Sequence, residues 1–120
     1  MRELLTADLF AALRLAKELG IREEMKRMAA ALQDGKVTKA TQTEVGMELI
    51  MEVLANCGSE RAEKAFYDFL SGPTETPPKE LKIMPLTAFA ELVREMVESI
   101  DVEHWKAFFT QLAGLLKKQS

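Results

Sequence analysis

The sequence predicts an all-α protein: a compact bundle of about six helices around one central buried helix at residues 42–57. Every apolar run that is long enough to judge has the period of an amphipathic helix, and no run alternates as a strand would. Four of the six glycines stand where such a pattern ends, namely Gly20, Gly35, Gly58 and Gly72. At 120 residues, the chain is long enough to fold as one domain with its own core.

The single domain is expected to span residues 1–120, and most of its helices have recognisable end signals. The helices are predicted near residues 7–19, 21–34, 42–57, 60–71, 86–99 and 102–117. Thr6 is a suitable N-cap for the first helix, and Gly20 can adopt the left-handed conformation that ends it. Gly35 is predicted to end the second helix.

The third predicted helix is the one that the sequence places at the centre. From Glu44 onward its polar residues recur at every fourth position, so on a helix they form one narrow stripe. The stripe consists of Glu44, Glu48, Glu52 and Asn56. A helix with so narrow a polar face is typical of one that other helices surround. Thr41 and Glu44 also match a capping box that would start this helix.

Ser59 is expected to cap the fourth helix, which Gly72 then ends. All four prolines follow within residues 72–85, which are therefore predicted to be a connector, with Pro78 able to start a single helical turn. The last two helices are expected to form a hairpin, in which Asp101 caps the second helix.

Composition and charge disfavour several classes of protein. The net charge of −3 provides no basic surface for nucleic acid, and no apolar run approaches the roughly 20 residues of a membrane-spanning helix. The one cysteine cannot form an internal disulfide, and the N-terminus has no apolar signal segment, so the chain is expected to be cytoplasmic. A DNA-binding helix-turn-helix around Gly20 is compatible with the spacing, although the neighbouring helices carry no dense basic face.

The residue types that usually carry catalysis are sparse, and no catalytic, metal-binding or cofactor-binding residue is expected. Di-metal helical bundles need Glu-x-x-His pairs, and the one histidine, His104, is in no such pair. Cys57 has no adjacent base that would activate its thiol, so a small buried residue is the favoured interpretation. The sequence therefore predicts a protein that is not an enzyme.

Two features suggest that the chain binds another protein. Seven methionines is a high number for this length, and flexible thioethers suit surfaces that accept varied apolar partners, although the core is the favoured place for Met25, Met28, Met47 and Met51. The second feature is a stripe of large apolar residues on the last helix. The stripe is the candidate partner-binding set and consists of Trp105, Phe108, Phe109 and Leu112. The same stripe can instead fill the core of a small bundle, and this alternative is favoured.

Short apolar motifs follow one another in order along nearly the whole chain. They are DLF at 8–10, LGI at 19–21, VGMELI at 45–50, FYDFLSG at 66–72, PLTAF at 85–89 and WKAFF at 105–109. In this order and spacing the chain resembles the tail assembly chaperones of long-tailed, siphovirus-type bacteriophages and prophages.

The resemblance implies an all-helical protein without enzymatic activity that binds the hydrophobic tape-measure protein, keeps it soluble and helps to recruit tail-tube subunits. It also implies action in the cytoplasm of a bacterial host, absence from the mature virion, and a longer form made by ribosomal frameshifting near Lys117 and Lys118. Self-association is left open. The alternative is a small helical adaptor for protein interactions or a transcriptional regulator.

Overall fold

The computed structural model describes residues 1–35 and 37–118, and within these ranges the chain forms seven α-helices and no strand. The helices are α1 (Thr6–Leu19), α2 (Arg22–Gln33), α3 (Gln42–Ala55), α4 (Glu60–Thr74), α5 (Pro78–Ile83), α6 (Leu86–Ser99) and α7 (Val102–Lys118). The radius of gyration is 13.4 Å, and about 13.6 Å is expected for a folded domain of this length. The prediction of a compact all-α bundle is confirmed.

The centre of the bundle is formed by α1, α4 and α7. α1 packs along α4, α7 packs along α2, and α7 also contacts α1. Leu70 of α4 and both Leu112 and Leu116 of α7 are completely buried. Aromatic rings fill the space between α4 and α7, with the Phe69 and Phe108 ring centroids 6.1 Å apart. These apolar contacts supply most of the driving force for folding, because removal of apolar surface from water is the dominant favourable term.

Residues 42–57 are not the central helix, and that prediction is wrong. Within α3 only Gln42 and Val53 are buried, while Met51 exposes 64% and Leu54 exposes 43% of its surface. The main helix contact of α3 is with α6 at the edge of the bundle. Hydrophobic periodicity shows which side chains are apolar but not how many helices surround them, and isolated apolar side chains are common on protein surfaces.

The start of α1 differs from the prediction by one residue. Thr6 is the first helical residue, and the N-cap is Leu5, whose backbone amide donates a 2.7 Å hydrogen bond to Oδ2 of Asp8. Asp8 therefore reaches back along the chain to the amide of the N-cap residue, as the acidic member of a capping box does. At the other end, Gly20 has a φ of 68° and ends the helix as predicted.

The predicted capping box of α3 does not form. The Thr41 hydroxyl instead accepts a 3.0 Å hydrogen bond from the amide of Thr38, so it closes a turn before the helix. The predicted cap of α4 is confirmed, because the Ser59 hydroxyl accepts a 3.1 Å hydrogen bond from the amide of Ala62. Side-chain oxygens of Ser and Thr can serve either arrangement, and the sequence alone does not decide between them.

α4 continues three residues beyond the predicted end. Gly72 does not stop it, and the helix runs through Pro73 to Thr74 before Glu75 adopts a φ of 54°. Pro73 lies in the last turn and has no amide to donate within the helix, and its carbonyl accepts the amide of Arg2 at 3.1 Å. The connector is correspondingly shorter, and it contains the single turn that Pro78 was expected to start.

Candidate partner-binding cavity

An apolar cavity of about 80 Å³ lies between α3 and the rest of the bundle. The α3 face of the cavity is apolar and is formed by Val45, Gly46, Leu49, Ile50 and Val53. The opposite wall includes Leu15, Met25, Met28, Phe66, Phe69, Met96 and residues of α7. An apolar cavity of this kind stays free of water, because a water molecule there would lack polar partners.

The candidate partner-binding stripe lies in the wall of this cavity. Trp105, Phe108 and Phe109 expose 8%, 7% and 9% of their surfaces, and Leu112 exposes none. Trp105 stacks against Phe108 edge to face with centroids 6.1 Å apart, and its indole Nε1 donates to the carbonyl of Val97 at 3.3 Å. These side chains are therefore part of the core in this structure, and a partner side chain would meet them inside the cavity rather than at the surface.

α3 is fastened to α6 by Gln42, a residue that sequence reasoning missed. The Gln42 side chain is buried, and its Nε2 donates to the carbonyl of Ile100 at 2.6 Å and to the carbonyl of Val97. Both carbonyls lie at the C-terminal end of α6, where backbone acceptors lack partners within the helix. Its signal in the sequence is a long amide at the first position of α3, within the residues 41–44 that match a capping box.

Close packing between α3 and α6 depends on a glycine. A Cβ atom at Gly46 would collide with Cγ1 of Val97. Without a side chain at this position, the backbone of α3 approaches α6 directly, and Val45, Leu49 and Ile50 of the same helix line the cavity. The VGMELI motif thus contains the contact that positions one wall of the site.

A second, more open depression lies beside the cavity between α2 and α3, and we name it the α2–α3 groove. Its volume is about 480 Å³, and it shares Met28, Val37, Val45 and Leu49 with the cavity wall. Its remaining lining residues are Glu24, Arg27, Ala31, Glu48 and Glu52. The cavity and the groove therefore adjoin, with Met28, Val37, Val45 and Leu49 between them and with acidic side chains along the outer edge of the groove.

The predicted glutamate stripe is exposed to solvent. Glu44, Glu48 and Glu52 all lie on the outer side of α3. Within residues 1–35 and 37–118, no group of three or more His, Cys, Asp or Glu side chains is arranged to hold a metal ion. Glu48 and Glu52 border the groove instead, so their charge acts on any molecule that approaches it.

The methionines are divided between the core and the surface. Met25 and Met96 are buried, and Met28 is half-buried, and all three line the cavity. Met47 is half-buried against the core, whereas the expected core position of Met51 is wrong, because this side chain points to solvent from the outer face of α3. The cavity wall therefore contains three thioethers, which can change rotamer to fit different apolar groups.

Two further side chains of reactive types are Cys57 and His104. Burial raises the pKa of the Cys57 thiol above its ordinary value, and the charge of Glu63 raises it further, so the nucleophilic thiolate is disfavoured. His104 is exposed on the first turn of α7. None of the helices in the described part of the chain has the length and apolar character needed to cross a bilayer.

Comparisons of the chain with protein-family models, with curated proteins and with solved structures found no match.

Proposed function

We propose that the protein is a tail assembly chaperone of the siphovirus type, which binds the hydrophobic tape-measure protein, keeps it soluble and helps to recruit tail-tube subunits. The observation that carries the proposal is the apolar cavity beneath α3, because it adjoins an open groove and offers a partner an apolar surface. The order of the short motifs along the chain supports the same conclusion.

The size and composition of the cavity suit a client that offers many apolar side chains of different shapes. A cavity of about 150 Å³ can hold a benzene ring, and this one, at about 80 Å³, has room for part of one aliphatic side chain. Its three methionines adapt to different side chains, which a long client with a varied sequence requires.

The expected strength of each contact is also appropriate for a chaperone. Burial of about 100 Å² of apolar surface contributes on the order of 2.5 kcal/mol, which is a weak and reversible interaction. Many copies bound along one extended client would cover it effectively, while each copy could leave when the tail tube assembles around the client. No catalytic step is needed for this function.

Co-expression with the tape-measure protein encoded by a neighbouring gene tests the proposal. We expect the tape-measure protein to remain soluble and to co-purify with this chain, and to precipitate when it is expressed alone. The alternative, a small helical adaptor or transcriptional regulator, predicts that the tape-measure protein stays insoluble in both cases, and this outcome would contradict the proposal.

A further inference from the structure

We infer that the α2–α3 groove receives a basic amphipathic helix, whose Lys or Arg side chains pair with the acidic rim while one apolar side chain enters the cavity beneath. The inference rests on the proposed function and names the segment of the client that this chain binds. Its occupant is defined by chemistry: a helix with an apolar stripe and flanking positive charges.

The groove is open because α2 and α3 make little backbone contact with each other. α2 packs along α7 and α3 packs along α6, so the two helices form opposite walls of the depression. Ala31 of α2 contributes only a methyl group to the floor, and Leu49 and Val45 of α3 face it from the other wall. A slot between two helices is the geometry in which amphipathic helices dock, with anchors one helical turn apart.

The charged side chains on the rim determine whether a positively or a negatively charged partner is favoured. Glu48 and Glu52 lie four residues apart on α3, so they stand one above the other along the same wall. Within residues 1–35 and 37–118, neither of these glutamates forms an ion pair. Across the groove, Nη2 of Arg27 lies 3.6 Å from Oε1 of Glu24, so the positive charge of Arg27 is neutralised by this glutamate. The groove therefore presents net negative charge, which attracts cationic side chains and repels acidic ones.

The residues that the groove shares with the cavity explain why a charged helix would also need an apolar stripe. Met28 and Leu49 belong to both the groove and the cavity, so a side chain that passes between them leaves water and enters apolar surroundings. Pairing of exposed charges alone gives little affinity. The apolar anchor supplies the affinity, and the rim supplies orientation and discrimination.

Two peptides test the inference with the full chain. The first is a helical peptide of about 20 residues with leucines at i, i+3, i+4 and i+7 and with flanking lysines; the second has glutamates in place of the lysines. We expect the lysine peptide to bind the wild-type chain at least about tenfold more tightly than the glutamate peptide. This preference should weaken as NaCl rises from about 0.05 to 0.5 M, because salt screens exposed charges.

Variants of the rim and of the floor give matched controls. Glu48→Lys with Glu52→Lys should reverse the preference between the peptides, whereas Glu91→Lys with Glu95→Lys makes the same charge change at exposed positions of α6 and should leave it unchanged. Ala31→Trp fills the floor and should abolish binding of the lysine peptide. Ala30→Trp, at the neighbouring exposed position, should not.

Several outcomes would overturn the inference: equal binding of the two peptides, no binding of either, or binding that Ala31→Trp leaves intact. A self-associated chain that Ala31→Trp dissociates and Ala30→Trp does not would show instead that the groove holds a second copy. If the tape-measure protein stays soluble with every variant, the proposed chaperone function is supported, but the groove is not the site at which the chain binds the tape-measure protein. If the lysine peptide binds as expected but the tape-measure protein precipitates, the groove does bind a basic amphipathic helix, and the proposed chaperone function is contradicted.

Discussion

Arg2 holds Asp8 through two hydrogen bonds, from Nη1 to Oδ2 at 2.7 Å and from Nη2 to Oδ1 at 3.0 Å. The Asp8 side chain exposes only 4% of its surface, and the same carboxylate accepts the amide of Leu5. The bond to Asp8 raises the pKa of the Arg2 guanidinium. The pair ties the N-terminal segment to the start of α1 and to the end of α4, where Arg2 also donates its backbone amide to Pro73.

We predict that Asp8→Ala lowers the free energy of unfolding by about 2 kcal/mol, because it leaves the Leu5 amide and the Arg2 guanidinium without their acceptor. Arg2→Ala should cost about 1 kcal/mol, since this side chain is partly exposed to water. Urea denaturation of both single variants and the double variant measures the coupling between them. Lys64→Ala, which removes an exposed ion pair to Asp68 at 3.1 Å, is the control and should change stability by less than about 0.5 kcal/mol. Additive costs at Arg2 and Asp8 would contradict the prediction.

A second prediction concerns the contact between α3 and α6. Gly46→Ala should lower the free energy of unfolding by about 1–3 kcal/mol, because the new methyl group meets Val97. Val97→Ala should cost less in the Gly46→Ala background than in the wild type, since it removes the atoms that collide. Gly114→Ala is the matched control: an added Cβ there meets no atom within 4 Å, and the substitution should stabilise α7 by about 0.5–1 kcal/mol. Thermal unfolding followed by circular dichroism measures all four variants, and a neutral Gly46→Ala would contradict the prediction.

The fold class and most helix ends were predictable because they are local properties. Gly20 ends α1 and Ser59 caps α4 through interactions within a few residues of each other. The end of α4 was not predictable in this way. Gly72 and Pro73 remain helical because Arg2 and Asp8, far away in sequence, pack against that last turn.

The candidate site was predicted only in part. The aromatic stripe of α7 was recognisable in the sequence, with the core as its favoured place, and its members are buried against α4. The position of α3 at the edge of the bundle depends on Gln42 and on the gap between α2 and α3, and both are tertiary features. The pattern of apolar residues along the sequence does not predict such a gap between two helices.

The third prediction concerns pH. Because burial and the charge of Glu63 raise the pKa of the Cys57 thiol, folding favours the protonated form, and Tyr67 is shifted in the same direction. The stabilisation from these groups is complete below their unfolded pKa values and is lost as the pH rises through the folded ones. At pH 8 we therefore expect iodoacetamide to alkylate Cys57 several times more slowly in the folded chain than in urea. Equal rates in the two states, measured by mass spectrometry, would contradict the prediction.

The fourth prediction concerns the attachment of α3, which forms one wall of the cavity. Gln42→Ala leaves the carbonyls of Val97 and Ile100 with fewer donors and should destabilise the contact between α3 and α6 by about 1–2 kcal/mol. Because α3 lies at the edge, this loss should appear as local opening rather than as global unfolding. Hydrogen–deuterium exchange should then accelerate about tenfold or more in α3 and remain nearly unchanged in α1 and α4.

Thr43→Ala provides the control for this experiment. Its hydroxyl donates a 3.3 Å hydrogen bond to Glu98 on the exposed side of the same helix pair, so its removal should alter exchange in α3 only slightly. Uniform acceleration over all helices in Gln42→Ala would mean that α3 unfolds together with the core. Such a result would also exclude independent opening of α3, because the wall that it contributes to the cavity would then be lost only on global unfolding.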